Sequence, residues 1–127
     1  VCSDHQPHEP DAKLAPFSET EPGIAGLETF PALALKLVDE GILSLPQAIA
    51  RLTVGPAHIL GLRSGNLAVG RPADVTVMEL DKPWTVTPDT LLGHAHNTPF
   101  MGWTFQTRAR YTLVNCRCVY PFSQTGS

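Results

Sequence analysis

Residues 74–80 read Asp74-Val75-Thr76-Val77-Met78-Glu79-Leu80 and carry the clearest secondary-structure signal of the chain. Successive side chains of a β-strand point to opposite faces of its sheet. In this stretch the rule places Val75 and Val77 on one face, and Thr76 and Met78 on the other. The pattern predicts a β-strand over residues 74–80.

More strand signals follow toward the end of the chain. Trp103-Thr104-Phe105 and residues 108–111 have strand character. Two further strands are predicted around a turn at Asn115, over residues 111–114 and 116–120. We expect the region from residue 63 to about 120 to be mainly antiparallel strand, followed by a frayed polar tail over residues 121–127.

Before residue 63 the sequence has a helical rather than a strand period. Residues 4–26 are too rich in proline and glycine for a regular element and predict a long loop. A first helix should begin near Thr29 or Phe30 and end at Gly41. Ser44-Leu45-Pro46-Gln47 has the spacing of a capping box, which predicts a second helix. A short third helix is predicted over residues 56–60.

Composition narrows the class of protein. The chain has 127 residues, of which 43% are hydrophobic and 17% charged, with a formal net charge of −3. This balance provides for a buried core and argues against a basic nucleic-acid surface. No apolar run approaches the roughly 18 residues that a membrane helix needs, and we expect no secretory signal. The three cysteines are an odd number, which favours a reducing cytoplasm.

The segment Ser3-Asp4-His5-Gln6-Pro7-His8 has the composition of a functional site. Asp4 can bind a metal or accept a proton, although it can also simply cap a turn before Pro7. His5 is more readily explained as a structural residue, or as one that contacts a metal ligand, than as a ligand itself. Lys13, in the same loop, fits either a charge partner of a substrate or a solvated lysine.

A set of motifs in this order resembles the class I dihydroorotases. The motifs are Asp4-His5-Gln6-Pro7-His8, Pro16-Phe17, Gly23-Ile24, Gly26-Leu27-Glu28-Thr29, Gly65-Asn66-Leu67, Pro72-Ala73-Asp74 and Asn97-Thr98-Pro99-Phe100. Chains of that family are much longer, so the resemblance implies a C-terminal part of such a protein. It implies an α/β fold in which residues 1–62 end a (β/α)8 barrel and residues 63–127 belong to a small β-sandwich. Val1-Cys2-Ser3 would then be the last barrel strand.

The resemblance also implies roles for particular residues. Asp4 matches the catalytic carboxylate, which exchanges a proton with the reacting groups and is also a metal contact. His8 matches the histidine that holds the substrate carboxylate, and Pro22-Gly23 matches a backbone pair that touches the substrate. The metal implied is zinc, with most of its ligands expected upstream of this chain. The reaction implied is the reversible cyclisation of N-carbamoyl-L-aspartate to dihydroorotate.

Two departures from the family pattern keep other functions open. Gln6 replaces the usual small residue of the first motif, and Pro31 stands one position early. One alternative is a non-catalytic dihydroorotase-like subunit that serves as a scaffold for aspartate carbamoyltransferase. Another is a different cyclic amidohydrolase, such as a hydantoinase or an allantoinase. We expect a cytoplasmic oligomer that acts on a small molecule, contacts neither nucleic acid nor membrane, and is inactive as these 127 residues alone.

Overall fold

The computed structural model describes residues 1–121 and has a mixed content of helix and sheet. Within these residues, three α-helices precede five strands. The predicted frayed tail lies, from residue 122 onward, outside the described residues. Within residues 1–121, no helix has the length and apolar character needed to cross a membrane.

The first 29 residues form a loop that is held by short elements. Two 3-10 helices, Pro10–Lys13 and Phe17–Glu19, follow the Asp4-to-His8 segment. A single parallel β-bridge pairs His5 with Ile24, and the Gln6 amide donates to the Ile24 carbonyl at 2.8 Å. Residues 1–3 are not in a strand, which differs from the barrel strand implied for them. A strand requires a neighbour that pairs with it, and no described strand lies beside these residues.

Three helices follow, with ends that the sequence signals explain. Helix α1 spans Phe30–Asp39, as predicted. Gly41, whose φ is +69°, follows the C-cap residue Glu40 and stops the helix. The Ile42 amide donates to the Leu37 carbonyl at 2.9 Å, and the Gly41 amide donates to the Val38 carbonyl at 2.9 Å. This is the Schellman arrangement, in which a residue with left-handed backbone satisfies the last helical carbonyls.

Helix α2 spans Leu45–Leu52, and the predicted capping box is present. The Gln47 side chain reaches back to the Ser44 backbone, and its Oε1 accepts from the Ser44 amide at 2.8 Å. Helix α3 spans Val54–Ile59, so the prediction of residues 56–60 was two residues late at its start. Thr53 adjoins both α2 and α3, and this direct junction left no turn signal to read.

The strand pairs of the described residues are antiparallel and fall into two sheets. Strands β1 (Val75–Glu79), β4 (Arg108–Val114) and β5 (Arg117–Tyr120) form a sheet in the order β1-β4-β5. The other sheet pairs β2 (Trp84–Thr85) with β3 (Thr104–Phe105). The prediction that residues 63 to about 120 are mainly strand was wrong in extent, because long loops separate these strands. Strand β2 was not predicted.

The hairpin between β4 and β5 turns where the sequence predicted. Val114 pairs with Arg117 across a two-residue loop, and Asn115 and Cys116 have φ values of +48° and +64°. Positive φ at both central positions is the geometry that matches the twist of a two-residue hairpin. Asp74 Oδ1 also accepts from the Asn115 amide at 2.8 Å, which ties the turn to the start of β1.

The pairing of β1 with β4 contains a bulge, and the extra residue lies in β4. Val77 pairs with Tyr111 and Met78 pairs with Ala109, so Arg110 is left unpaired and β1 keeps its alternation. Thr76 and Met78 face a cavity of about 530 Å³ that is also lined by residues at the start of α1. The face predicted for Thr76 and Met78 is therefore the one that looks toward the start of α1.

The buried interior is built largely from small side chains. Helix α1 packs on α2 and contacts β3, and α2 packs on α3. Among the buried residues of the described range 1–121, Phe105, 4% exposed, has the largest hydrophobic side chain. It lies 5.9 Å from Trp84 and 6.5 Å from Phe100 between ring centres. The other buried hydrophobic residues are Ala32, Ala34, Leu35, Ala48, Ala57 and Val86.

Gly65 and Gly70 offer a matched test of how closely the chain approaches the α2–α3 junction. Their φ values are +82° and +79°, so alanine at either position should cost about 1–2 kcal/mol through its left-handed backbone alone. A Cβ on Gly65 would lie 2.9 Å from the Thr53 carbonyl carbon and 3.0 Å from the Val54 amide nitrogen. No atom of residues 1–121 would lie within 4 Å of a Cβ on Gly70.

We therefore expect Gly65→Ala to lower the free energy of unfolding by more than Gly70→Ala, with an excess of about 1–3 kcal/mol from crowding. The measurement is urea unfolding of the purified protein and both variants. Equal losses in the two variants would show that the backbone at Gly65 is not confined by Thr53.

Candidate functional site

Asp4 stands in an unusual backbone conformation at the start of the loop. Its φ is +44°, in the left-handed region that few residues other than glycine adopt, although aspartate enters it more readily than most. The carboxylate is exposed, and its Oδ1 accepts from Gln6 Nε2 at 3.3 Å. Asp4 thus presents an acidic group at the surface, with one oxygen in contact with an amide.

Gln6 joins Asp4 to the second loop segment. Its side chain lies against Gly23, because a Cβ on Gly23 would come within 2.4 Å of Gln6 Cβ and 2.5 Å of its Oε1. Gly23 also has a φ of +107°, which side chains rarely tolerate. Glycine is therefore required at position 23 both by the backbone angle and by the neighbour.

His8 contacts the residue before Gly23. Its Nε2 lies 2.8 Å from the carbonyl oxygen of Pro22, fourteen positions along the chain. A carbonyl can only accept, so Nε2 carries the proton in this contact. The imidazole is partly buried and leaves its Nδ1 as the second polar atom of the ring.

Asn97 connects these segments from the other half of the chain. Its Oδ1 accepts from the His8 amide at 3.0 Å. Its Nδ2 donates to the carbonyl oxygens of Gln6 at 3.0 Å and of Gly23 at 3.4 Å. Its own carbonyl accepts from the Ala25 amide at 3.1 Å. Asn97 therefore contacts both segments of the loop, the one around His8 and the one around Gly23.

Two further side chains hold the base of the loop. His5 Nδ1 accepts from the amides of Gly26 and Leu27 at 3.1 and 3.2 Å, which agrees with the structural role expected for it. The Glu28 carboxylate accepts from the Leu92 amide, at 2.9 Å to Oε2, and from the Gly93 amide, at 2.9 Å to Oε1. These contacts fix the loop to residues 92 and 93 much as Asn97 fixes it further along.

Lys13 is neither fully solvated nor paired with a carboxylate among the described residues. Its side chain is exposed, yet Nζ donates to the Gly23 carbonyl at 3.0 Å and also contacts the Glu21 carbonyl. The ammonium thus brings a positive charge beside Gly23.

The structure brings the residues singled out from the sequence into one connected group. Asp4 touches Gln6, Gln6 touches Gly23, and His8 touches Pro22. Asn97 and Glu28 had no role in the sequence interpretation, although both stand in the quoted motifs. The sequence did show that both residues have side-chain oxygens that can accept hydrogen bonds. It did not show their partners, which lie more than 60 positions away.

The described residues can supply part of a metal site but not a complete set of ligands. The Asp4 carboxylate is a suitable zinc ligand by its chemistry, and its second oxygen is not used in the Gln6 contact. No three histidine, cysteine, aspartate or glutamate side chains gather into a possible metal site within residues 1–121. A catalytic zinc typically takes three protein ligands, so further ligands would have to come from elsewhere.

Comparison with known proteins places the chain in a family. A profile described as "Amidohydrolase family" matches residues 37–120. The chain is 47% identical over 123 residues to the dihydroorotase of Syntrophotalea carbinolica, covering 97% of this chain and 29% of that protein. It is 42% identical over 120 residues to the dihydroorotase of Geobacter metallireducens, covering 94% and 28%. A dihydroorotase-like protein of Pseudomonas aeruginosa is 46% identical over 115 residues, covering 91% and 27%.

Solved structures give the same result for the fold. The D-hydantoinase (dihydropyrimidinase) of a Thermus species superposes with a TM-score of 0.82 at 25% identity, covering 91% of this chain and 26% of that one. The L-hydantoinase of Arthrobacter aurescens superposes with a TM-score of 0.72 at 28% identity, covering 80% and 23%. The chain spans less than a third of the length of these relatives. Over the part that it does span, it belongs to the amidohydrolase family.

Proposed function

We propose that this chain supplies part of the active site of a dihydroorotase, which interconverts N-carbamoyl-L-aspartate and dihydroorotate in pyrimidine biosynthesis. The observation that carries the proposal is the connected group formed by Asp4, Gln6, His8, Pro22 and Gly23. Similarity to proteins named dihydroorotase at 42% and 47% identity supports this reaction within the amidohydrolase family. The whole protein would have the length of those relatives.

In this proposal Asp4 moves the proton. Hydrolysis of a cyclic amide needs a base that takes a proton from the attacking water and returns it to the leaving nitrogen. The exposed Asp4 carboxylate has an oxygen that the Gln6 contact leaves unused. The strained φ of +44° is of the kind that persists where a side chain is held for function.

His8, Pro22, Gly23 and Lys13 would bind the substrate. An imidazolium ring at His8 would donate from Nε2 to the Pro22 carbonyl, as the 2.8 Å contact allows, and from Nδ1 to a substrate carboxylate. Pro22 and Gly23 would contact the substrate through their backbone groups, from the side of Gly23 that the Gln6 side chain does not cover. The Lys13 ammonium, 3.0 Å from the Gly23 carbonyl, adds positive charge that favours an anionic substrate.

Zinc is the metal we propose for the whole protein, with Asp4 as one contact and most ligands outside this chain. When bound, zinc acts as a Lewis acid and lowers the pKa of a water molecule to about 7. Asp4 is the residue of this chain that would contact the metal and that would take a proton from the attacking water.

The architecture of the whole protein follows from the same proposal. Residues 1–62 would end a (β/α)8 barrel, and residues 63–127 would belong to a small β-sandwich. The antiparallel sheet of β1, β4 and β5 and the superposition on the Thermus hydantoinase at a TM-score of 0.82 support this division. We further propose a cytoplasmic oligomer.

A second function has specific support. The relative from Pseudomonas aeruginosa is named a dihydroorotase-like protein and is 46% identical. Gln6, which occupies the position of a usual small residue, engages the carboxylate proposed as the base at 3.3 Å. A non-catalytic subunit that binds aspartate carbamoyltransferase is therefore the alternative. Absence of turnover and of zinc in the whole protein, with co-purification of the carbamoyltransferase, would favour it.

Replacing the proposed base should remove turnover while keeping the fold. Asp4→Asn preserves the shape of the side chain, but its amide cannot accept the proton. We expect dihydroorotate hydrolysis by the whole protein to fall at least a hundredfold, in line with the usual contribution of a general base. Asp11→Asn, an exposed aspartate of the same loop, is the matched control and should keep wild-type rates. Wild-type turnover in Asp4→Asn would remove Asp4 from this role.

Loss of the His8 ring should weaken substrate binding more than it slows the reaction. His8→Ala removes a charge-assisted contact worth roughly 1.5–3 kcal/mol, which corresponds to about a tenfold to hundredfold rise in KM. Steady-state kinetics at one pH give both constants, and zinc content is measured on the same samples. His58→Ala, at an exposed position in α3, serves as the control. An unchanged KM in His8→Ala would contradict the proposed contact.

The 127 residues alone should show no dihydroorotase turnover. The reason is the lack of a set of three metal ligands within residues 1–121. The positive control is a chimera in which this chain replaces the matching part of the Syntrophotalea carbinolica dihydroorotase, to which it is 47% identical. Hydrolysis by the isolated chain that a chelator abolishes would contradict this expectation.

A further inference from the structure

We propose that Asn97 is a positioning residue, which sets the placement of His8 and Gly23 for substrate binding. The inference rests on the proposed function and adds a residue from the second half of the chain. Asn97 follows Asp4 and His8 by about ninety positions in the sequence. It nevertheless contacts His8, which is 89 positions away.

The donors and the acceptor of the Asn97 side-chain amide match the hydrogen-bonding groups of its three backbone partners. Its oxygen accepts from the only donor among them, the His8 amide, at 3.0 Å. Its nitrogen donates to two acceptors, the Gln6 carbonyl at 3.0 Å and the Gly23 carbonyl at 3.4 Å. A primary amide is the neutral side-chain group that offers one acceptor oxygen and two N–H donors in a single plane.

Other side chains of similar size would lose part of this match. Aspartate would keep the acceptor for His8 but would turn an anionic oxygen toward two carbonyls. Leucine or alanine would leave all three backbone groups without this partner. Backbone groups in irregular loops have few alternatives when they are partly buried, so the loss is costly.

The consequence for the site follows from the two segments that Asn97 joins. The first segment carries His8, whose ring contacts the Pro22 carbonyl at 2.8 Å. The second carries Gly23, whose carbonyl also receives the Lys13 ammonium at 3.0 Å. With the His8 amide and the Gly23 carbonyl attached to one planar group, the imidazole and the glycine backbone keep a fixed separation. A substrate carboxylate would thus meet groups that are already arranged.

The test is a double-mutant cycle between Asn97 and His8 in the whole protein. We expect Asn97→Ala to raise KM for dihydroorotate roughly tenfold, with a smaller change in kcat. Because Asn97 acts partly through His8 and partly through Gly23, the KM of the double variant should lie at or above that of His8→Ala but below the product of the two single effects. Multiplicative effects of the two changes, or an unchanged KM in Asn97→Ala, would overturn the proposal. Asn66→Ala, which removes a turn contact at an exposed position, is the control.

A second variant and a second measurement keep the test decisive if Asn97→Ala does not fold. Asn97→Asp retains size and the acceptor for His8 while losing both donors, so its KM should still rise; a wild-type KM would overturn the proposal. Hydrogen exchange of the segment around His8 should also become faster in either variant. If the parent protein turns over no dihydroorotate, the proposed function fails, and exchange alone then decides whether Asn97 holds the loop. Normal turnover with unchanged exchange and KM would reject only the role of Asn97.

Discussion

The candidate site depends on side chains that serve as partners for the backbone of an irregular loop. Residues 1–29 have only short 3-10 elements and one isolated bridge, so few of their amides and carbonyls are satisfied by regular structure. The Asn97 amide provides for three of these groups, His5 for two amides, and Lys13 for two carbonyls. Partly buried backbone groups need such partners. The loop is thereby given one conformation without being part of a sheet.

Features with local causes could be predicted from the sequence. The capping box of Ser44 and Gln47, the stop at Gly41 and the hairpin at Asn115 all arise from interactions between residues a few positions apart. Strand β1 followed from its period of two. Strand β2 and the bulge in β4 could not be predicted, because both depend on a partner strand. Strand β2 has only two residues, which is too short to show an alternating pattern in the sequence.

The candidate site divides in the same way. The residue types of Asp4 and His8 suggested chemistry, and a family resemblance supplied their proposed roles and those of Pro22 and Gly23. The contacts between them come from the structure, in particular the imidazole of His8 on the Pro22 carbonyl. Asn97 was invisible as a site residue, since nothing in its neighbours indicates a contact 89 positions away. Gln6 is the one departure for which the structure gives a consequence, through its contacts with Asp4 and Gly23.

The alanine-rich interior restricts how this part of the family can diverge. Ala32, Ala34, Ala48 and Ala57 are buried where the helices meet one another and the sheets. A larger side chain there would overpack the contact at a cost of about 1–3 kcal/mol. Glycine, the only smaller choice, would weaken a helix by roughly 0.5–1 kcal/mol. Both larger and smaller residues are therefore disfavoured at these positions. Sequence changes in this part of the family are better tolerated in the loops, where the proposed site residues also lie.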